Sequence, residues 1–583
     1  MRVLLLHPED VPVRGECASS RWDLIVDLGF AGASVYEEWS RQTGSRVISL
    51  HQFSDQESFR WVKRGLAAGH GKLLDRMGLD WWEILAPCGY QEQHAIYLLG
   101  QLRRELGPGT VELVATRAHS HVQLLRLVTG WPVSVLAEAS PRPSLFTRLA
   151  AAKDLRPSQM VEIAFDKWDP KYSFRSKVTK RRRAQLHEPA MLLPTAYSNV
   201  TRTVLAYASQ LRDRRFLLAT TRRSGETNAL PTNVVSVPLS AYAETSAETT
   251  TETAELLRAW SAMQTELGRI DELRQRIQAG IWNYISPQLE IGLRLRDAWH
   301  VLMSSEPVSG VLCGDDLNYH TRLPLIMAKS MGRRAVYCSH GALDGGLLFK
   351  KAYADLHLVK GEMERDYMLE VSEIEPEQVE IAAPAEDGGG LGPSRLADSV
   401  KSEIVFFSQP YEVMSGRGGE IYREILRPLV AVAKELNRRI IVKLHPFESA
   451  RGRARILRSF LSADELERVE ISSAPASEVL PRTLLGIGLD SSVAVECVLG
   501  GIPYFMCDWL DFNGFEYMRQ FARFGVGVLL NTPDEILSLP QRLVELKPDR
   551  SKIRQLSQPI DERRLDQLLF GASGVLTSTK CAS

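Results

Sequence analysis

The chain has 583 residues, and because single hydrophobic cores stop growing at about 250–300 residues, we expect more than one folding unit. The 71 basic residues balance the 71 acidic ones, which excludes a global electrostatic attraction to nucleic acid. Apolar residues make up 44% of the chain without any run approaching ~20 residues, so we expect a globular protein without a membrane span. Seven scattered cysteines without metal-ligand spacing predict reduced thiols in a cytoplasmic protein and no metal site.

Strand-like and helical segments alternate in the first part of the chain. Apolar runs at 2–6, 22–29 and 46–51 are typical of strands, and the segment 35–42 is helical in composition. Residues 52–130 have a mostly helical pattern. This alternation predicts a parallel, doubly wound α/β unit.

Two segments in the middle of the chain differ in composition from their surroundings. Lys171 to Arg183 carries seven positive charges and no acid. A solvated loop or helix face is the simpler interpretation, and attraction to an anionic lipid surface or an anionic acceptor is the functional one. Residues 243–254 are rich in Thr, Glu and Ala, which predicts a loop or flexible insertion.

A second α/β pattern begins at Pro307, where strand-like runs follow one another with helical segments between several of them. We therefore divide the chain into three parts. Residues 1–345 form an N-terminal Rossmann-like unit with helical insertions, residues 346–570 form a C-terminal Rossmann-like unit, and residues 571–583 form a tail.

Polar residues follow four of the predicted strands at the point where each strand ends. In an open parallel sheet, ligands bind outside the carboxyl ends of the strands, so these residues predict a binding site. They are Asp315 and Asp316, His340 and Gly341, His445, and Asp490 with Ser491 and Ser492.

The last two groups have the chemistry of a phosphate site. Ser491 and Ser492 precede an apolar helical run, where serine acts either as a plain N-cap or as a phosphate ligand at a helix N-terminus. Glu496 lies one turn further along that helix and could accept hydrogen bonds from ribose hydroxyls. Lys443 and His445 point to the same face of a strand, and a cation with an imidazole donor suits a nucleotide phosphate.

The first two groups are candidates for the reacting end of the site. A hydroxyl that attacks an activated carbon needs a base, and Asp315, Asp316 or His340 could serve. The alternatives are an Asx-capped turn for the aspartates and a strand-to-loop turn at Gly341 for the histidine.

These motifs resemble those of a known enzyme class. "KLHP" at 443–446, followed by "DSSVAVECVLGGIP" at 490–503, resembles the HP and Ser-Ser motifs of bacterial GT-B glycosyltransferases of capsule and lipopolysaccharide synthesis, both sialyltransferase-like and Kdo-transferase-like. The CDP-glycerol glycerophosphotransferases of teichoic acid synthesis are similar. "YCSHGALDGG" at 337–346 resembles the HG segment of several of these families. The resemblance covers roughly residues 306–510.

The resemblance implies an α/β, GT-B-like fold in which two Rossmann-like domains face a cleft. The nucleotide would bind mainly to the C-terminal domain and the acceptor to the N-terminal one, without a metal or cofactor and often with inversion. Carried over, Lys443, His445, Gly341 and the two serines would bind the donor phosphate, and Glu496 the ribose. His340 or one of the aspartates would be catalytic. In the family an acidic pair often precedes a glycine, whereas here Gly314 precedes the pair, so the base assignment stays open.

We therefore expect a glycosyltransferase that uses a nucleotide-sugar donor and a surface-polysaccharide or lipid-linked acceptor. The alternatives are a CDP-glycerol or CDP-ribitol phosphotransferase, a sugar-nucleotide epimerase of similar fold, and a non-catalytic nucleotide-binding scaffold. The family implies a cytoplasmic enzyme, with peripheral contact at the inner membrane left open.

Overall fold

The computed structural model of the chain consists of three parallel β-sheets with helices around them. It describes residues 1–6, 21–28, 39–109, 111–117, 120–137, 182–222, 225, 227, 230–244, 247–316, 318–340, 353–385, 401–409, 411, 419–445, 448–489, 492–510, 517–546 and 549–571. Most of the basic segment 171–183 and the tail beyond Gly571 lie outside these residues. No helix within them is long and apolar enough to cross a bilayer.

The first sheet has the strand order β3-β2-β1-β4-β5, and all its pairings are parallel. Its strands are β1 (Arg2–Leu6), β2 (Leu24–Asp27), β3 (Arg46–Ser49), β4 (Glu112–Arg117) and β5 (Val133–Ala137). The helices of this part are α1 (Gln56–Ala67), α2 (Trp81–Leu85), α3 (Tyr90–Leu106) and α4 (Ser120–Thr129). Helix α1 begins at a capping box, in which Asp55 and Ser58 satisfy each other's backbone N–H groups.

The second sheet has the strand order β12-β11-β10-β9-β6-β7-β8. Its strands are β6 (Ala190–Thr195), β7 (Arg215–Thr220), β8 (Val234–Pro238), β9 (Val308–Cys313), β10 (Arg334–Cys338), β11 (Leu356–Val359) and β12 (Val379–Ile381). The helices are α5 (Ser198–Gln210), α6 (Ala247–Leu267), α7 (Asp271–Gln278), α8 (Ile285–Ser305), α9 (Tyr319–Ser330) and α10 (Glu362–Glu370). All six residues of the central strand β6 are buried, as expected for a parallel strand covered on both faces.

The third sheet has the order β15-β14-β13-β16-β17-β18, which is the 3-2-1-4-5-6 order of a Rossmann sheet. Its strands are β13 (Glu403–Phe407), β14 (Arg439–Lys443), β15 (Val469–Ser472), β16 (Thr483–Gly488), β17 (Tyr504–Cys507) and β18 (Val528–Leu530). The helices are α11 (Gly419–Glu435), α12 (Ala450–Arg458), α13 (Ala463–Leu466), α14 (Ala476–Val479), α15 (Ser492–Leu499), α16 (Tyr517–Arg523), α17 (Leu539–Glu545), α18 (Arg550–Arg554) and α19 (Glu562–Phe570).

The α/β prediction is confirmed, but the described chain contains three doubly wound sheets rather than two. The predicted division between residues 345 and 346 falls within the second sheet, because β11 and β12 pair with β10 and with each other. The change of sheet comes between Ile381 and Glu403. The last helix, α19, returns to the second sheet, where Leu565 and Leu568 join its core.

The prediction of a flexible segment at 243–254 was wrong from residue 247 onward. Helix α6 begins at Ala247, and its side chains Thr249 and Glu252 are buried. The two oxygens of the Glu252 carboxylate accept hydrogen bonds from the Arg296 guanidinium of α8 at 2.8 and 2.7 Å. A buried ionic contact from a distant helix therefore stabilises a segment that has few apolar residues of its own.

We expect the free energy of unfolding to fall in acid because of His94 on α3. Its ring stacks on Phe59 with centroids 4.8 Å apart, and its Nε2 lies 3.0 Å from the Ser58 hydroxyl. Burial lowers the pKa of His94 from 6.5 to about 4, so the unfolded chain binds a proton that the folded chain does not. The contribution of neutral His94 to the free energy of unfolding is fully present above pH 6.5. It is lost as the pH falls toward about 4, which lowers the free energy of unfolding by about 3 kcal/mol.

Urea unfolding of the wild type and of His94→Gln, followed by tryptophan fluorescence at about pH 7.5 and about pH 4.5, checks this expectation. The variant should lose distinctly less stability than the wild type between the two conditions. Equal losses in both proteins would contradict it.

Candidate active site

The chain after β9 forms a buried acidic turn at the carboxyl edge of the second sheet. Asp315 and Asp316 are both buried. The Asp315 side chain accepts a hydrogen bond from the Asn318 N–H at 3.3 Å, and its carbonyl oxygen accepts one from the Thr321 hydroxyl at 2.6 Å. These contacts form the Asx-capped turn that the sequence analysis named as the alternative. The Asp315 carboxylate stabilises the backbone of this turn by accepting the Asn318 N–H.

Gly314 precedes the acidic pair because helix α5 packs directly against it. A Cβ atom at this position would lie 3.0 Å from Cγ1 of Val200 and 3.2 Å from Cγ1 of Val204. The glycine before the acidic pair therefore has a packing reason.

The half-buried His340 follows the neighbouring strand β10, and its Nδ1 contacts the carbonyl oxygen of Gly314. A carbonyl can only accept a hydrogen bond, so Nδ1 carries the proton and donates it. In the neutral ring, Nε2 is then left with its lone pair, as a general base requires. The structure thus places His340 next to the acidic turn, while Gly341 lies outside the described residues.

A buried arginine that the sequence did not point to lies beside these residues. Arg322 on α9 is 2% exposed, and its Nη2 donates to the carbonyl oxygen of Ile84 on α2 at 2.6 Å. Burial lowers the pKa of Arg322, but the surrounding groups, among them Asp316 and Asp315, raise it overall. The guanidinium therefore offsets the charge of the acidic turn and connects it to the first part of the chain.

Lys443 and His445 lie at the carboxyl end of β14 in the third sheet, and both are half-buried. Burial lowers the pKa of Lys443, although the charge of Glu448 opposes this change. Burial and the charge of Lys443 both lower the pKa of His445, which indicates that the two side chains are close. Nζ of Lys443 donates to the carbonyl oxygen of Leu444, and the His445 imidazole lies at the same edge of the sheet.

The carboxylate of Glu448 holds the turn that contains His445, a role that no motif in the sequence indicated. Its Oε2 accepts the backbone N–H of His445 at 2.7 Å, and its Oε1 accepts the hydroxyls of Ser408 at 2.8 Å and Tyr422 at 3.0 Å. Arg453 forms an ion pair with the same carboxylate at 2.7 Å. Ser408 follows β13, so the carboxylate joins the ends of two neighbouring strands.

The predicted serine cluster is only partly described. Ser492 is the first residue of α15, Ser491 lies outside the described residues, and Glu496 is half-buried one turn along the helix. Helix α15 follows β16, which is the strand beside β13, so its N-terminus lies at the switch point of the sheet where ligands bind in this topology. The roles assigned to these three residues stay predictions.

Two helices that follow strands of the second and third sheets contact each other. Helix α10 follows β11, and α16 follows β17. The two helices touch where the Gln520 side chain donates to Asp366 at 3.0 Å and to the carbonyl oxygen of Met363 at 3.1 Å. Among the described residues, no group of three or more His, Cys, Asp or Glu side chains could hold a metal ion.

No protein-family model and no curated protein matches this sequence. Among solved structures, UDP-GlcNAc 2-epimerase from Methanocaldococcus jannaschii is similar at 10% identity and a TM-score of 0.43, over 65% of this chain and 98% of that one. A variant of the wall teichoic acid polymerase TagF is similar at 10% identity and a TM-score of 0.39, over 73% and 97%. A glycosyltransferase from Rickettsia africae gives 8% identity and a TM-score of 0.35, over 66% and 94%. Likenesses this distant do not assign a family or an activity.

Proposed function

We propose that this protein is a glycosyltransferase that moves a sugar from a nucleotide-activated donor to a surface-polysaccharide or lipid-linked acceptor. The observation that supports the proposal is the presence of two complementary sets of groups at the carboxyl ends of strands, in two sheets whose helices α10 and α16 contact each other. His340, with Nδ1 directed at the Gly314 carbonyl, follows β10 in the second sheet, and Lys443 and His445 lie at the end of β14 in the third.

In this mechanism Nε2 of His340 takes the proton of the acceptor hydroxyl as its oxygen attacks the anomeric carbon of the donor. The bond from that carbon to the phosphate oxygen breaks in the same displacement, which inverts the configuration. The Gly314 carbonyl keeps the ring oriented and stabilises the imidazolium that forms. We assign Asp315 to the turn rather than to proton transfer.

The leaving nucleotide phosphate gains negative charge as the bond breaks. We assign the stabilisation of that charge to the Lys443 ammonium, the His445 imidazole and the N-terminus of α15, with Ser491 and Ser492 as additional donors. We assign Glu496 to the ribose. No step in this scheme requires a metal or a cofactor.

The second candidate is a phosphotransferase that uses CDP-glycerol or CDP-ribitol. The same base and the same phosphate-binding groups suit attack at phosphorus, and the motif resemblance includes this class. The products separate the two activities, because a glycosyltransferase forms a glycosidic bond and a phosphotransferase forms a phosphodiester. An epimerase, by contrast, would convert UDP-GlcNAc without any acceptor.

A thermal-shift panel of CMP, CDP, UDP, GDP and ADP tests the donor site. We expect one nucleotide to raise the melting temperature of the wild type, since a ligand at about 100 times its Kd stabilises the native state by about 2.7 kcal/mol. His445→Ala should lose that shift. The matched control is His300→Ala, at an exposed histidine on α8, which should keep it. No shift with any nucleotide at millimolar concentration would contradict the proposal.

A further inference from the structure

The Glu448 carboxylate lies at the centre of a buried polar cluster that the proposed mechanism does not use. Its side chain has no exposed surface, and Ser408, Tyr422 and Arg453 are all buried around it. These partners come from the end of β13 and from helices α11 and α12. One side chain therefore connects two helices and two strand ends beneath the proposed phosphate site.

Glu448 also fixes the backbone of His445 from both sides. Its carboxylate accepts the His445 N–H at 2.7 Å, and its own N–H donates to the His445 carbonyl oxygen at 2.9 Å. Ser408 N–H donates to the carbonyl oxygen of Lys443 at 2.9 Å, so the same cluster also determines where β14 ends. The direction of both phosphate-binding side chains depends on these contacts.

A carboxylate this close to a phosphate site would repel the phosphate unless its charge were balanced. Arg453 supplies the balance, with its Nε at 2.8 Å and its Nη2 at 2.7 Å from the Glu448 carboxylate, and its side chain only 8% exposed. A buried carboxylate with an ionic partner and several hydrogen bonds keeps its charge, whereas an unpaired one is strongly disfavoured. With Glu448 neutralised in this way, the ammonium of Lys443 is left available for the ligand.

We infer that Glu448, paired with Arg453, is a positioning residue that holds His445 and Lys443 in place for the donor phosphate. This inference rests on the proposed function. Glu448 does not touch the ligand in this scheme, and it acts through the two side chains that do. Its loss should therefore weaken nucleotide binding more where His445 is present to be positioned than where it is absent.

The test is a double-mutant cycle on the full chain, with the Kd of the nucleotide identified in the thermal-shift panel measured by titration calorimetry. Glu448→Gln keeps the shape of the side chain but replaces one carboxylate oxygen with an NH2 group. That NH2 group would face the N–H and O–H groups that donate to the carboxylate in the wild type. We expect it to weaken binding about tenfold to a hundredfold, as for the loss of hydrogen bonds to a charged group. In the His445→Ala background the same change should have a clearly smaller effect, because only Lys443 is then left to be positioned.

The matched control is Glu306→Gln, at the amino end of β9. Glu306 is also buried, and its carboxylate accepts the Tyr242 hydroxyl at 2.7 Å and the Leu186 N–H at 2.8 Å. This change should lower the melting temperature as Glu448→Gln does, but leave the Kd of the nucleotide unchanged. If Glu448→Gln does not fold, Ser408→Ala, which removes one hydrogen bond to the carboxylate, takes its place in the cycle.

The outcomes separate the two proposals. If the wild type binds the nucleotide, His445→Ala loses binding and neither Glu448→Gln nor Ser408→Ala weakens it, the positioning role is overturned and the proposed function stands. Equal weakening by Glu448→Gln in both backgrounds would show a merely structural role and also overturn the inference. If the wild type binds no nucleotide, both proposals fail.

Discussion

His340→Ala is expected to lower kcat by about 10²–10⁴-fold, the range that a positioned general base contributes. The KM for the nucleotide donor should change little, because the proposed phosphate contacts come from the third sheet, while His340 follows a strand of the second. The measurement is the initial rate of donor turnover with acceptor present, over a range of donor concentrations. Melting temperatures of wild type and variant should agree closely, since His340 is only half-buried.

Two comparisons distinguish His340 from the other candidate bases. Added imidazole should restore part of the activity of His340→Ala, because a small base can enter the space that the ring leaves. Asp315→Asn and Asp316→Asn should lower kcat less than His340→Ala. The assignment of the base is wrong if either aspartate variant loses as much activity as His340→Ala, or if His340→Ala keeps its full kcat.

The local chemistry of the sequence predicted the strands better than it predicted their grouping into sheets. Apolar runs such as 2–6 and 439–443 became strands because each fills a covered, parallel position. The residues of such a run do not indicate which sheet the strand joins. β11 follows a break in the pattern, and only its pairing with β10 shows that it belongs to the second sheet.

The candidate site was predictable where its residues are close in sequence. The spacing of Lys443 and His445 predicts a shared face if the strand continues to residue 445, whereas β14 ends at Lys443, so the shared face stays a prediction. Arg322 could not be found in this way, since its partner Ile84 is 238 residues away and supplies only a backbone oxygen. Glu448 was equally hidden, because its partners Ser408 and Tyr422 are brought to it by the sheet and by a helix.

Contacts between residues distant in sequence also explain the incorrect prediction for residues 247–254. The largest loss of stability that we expect comes from removing one of these contacts. Arg296 on α8 is fully buried, and its guanidinium donates to Asp75 at 2.7 Å and to both oxygens of Glu252. Burial raises the pKa of Glu252, but the hydrogen bonds from Arg296 and from the Arg76 N–H lower it overall. The carboxylate on α6 is therefore kept ionised by residues that are distant in sequence.

Arg296→Met should lower the free energy of unfolding by about 3–5 kcal/mol, because it removes the fully buried cation between Asp75 and Glu252 and leaves only the partly exposed Arg76 paired with Glu252. Urea unfolding followed by circular dichroism measures this loss. The matched control is Arg294→Met on the same helix, whose ion pair with Glu290 spans 3.5 Å between partly exposed side chains and should contribute at most about 1 kcal/mol. Similar losses in both variants would contradict the role given to the buried cluster. A large loss for Arg296→Met alone, accompanied by proteolytic cleavage within 247–254, would show that the first turns of α6 depend on Arg296 even though Arg76 also pairs with Glu248 and Glu252.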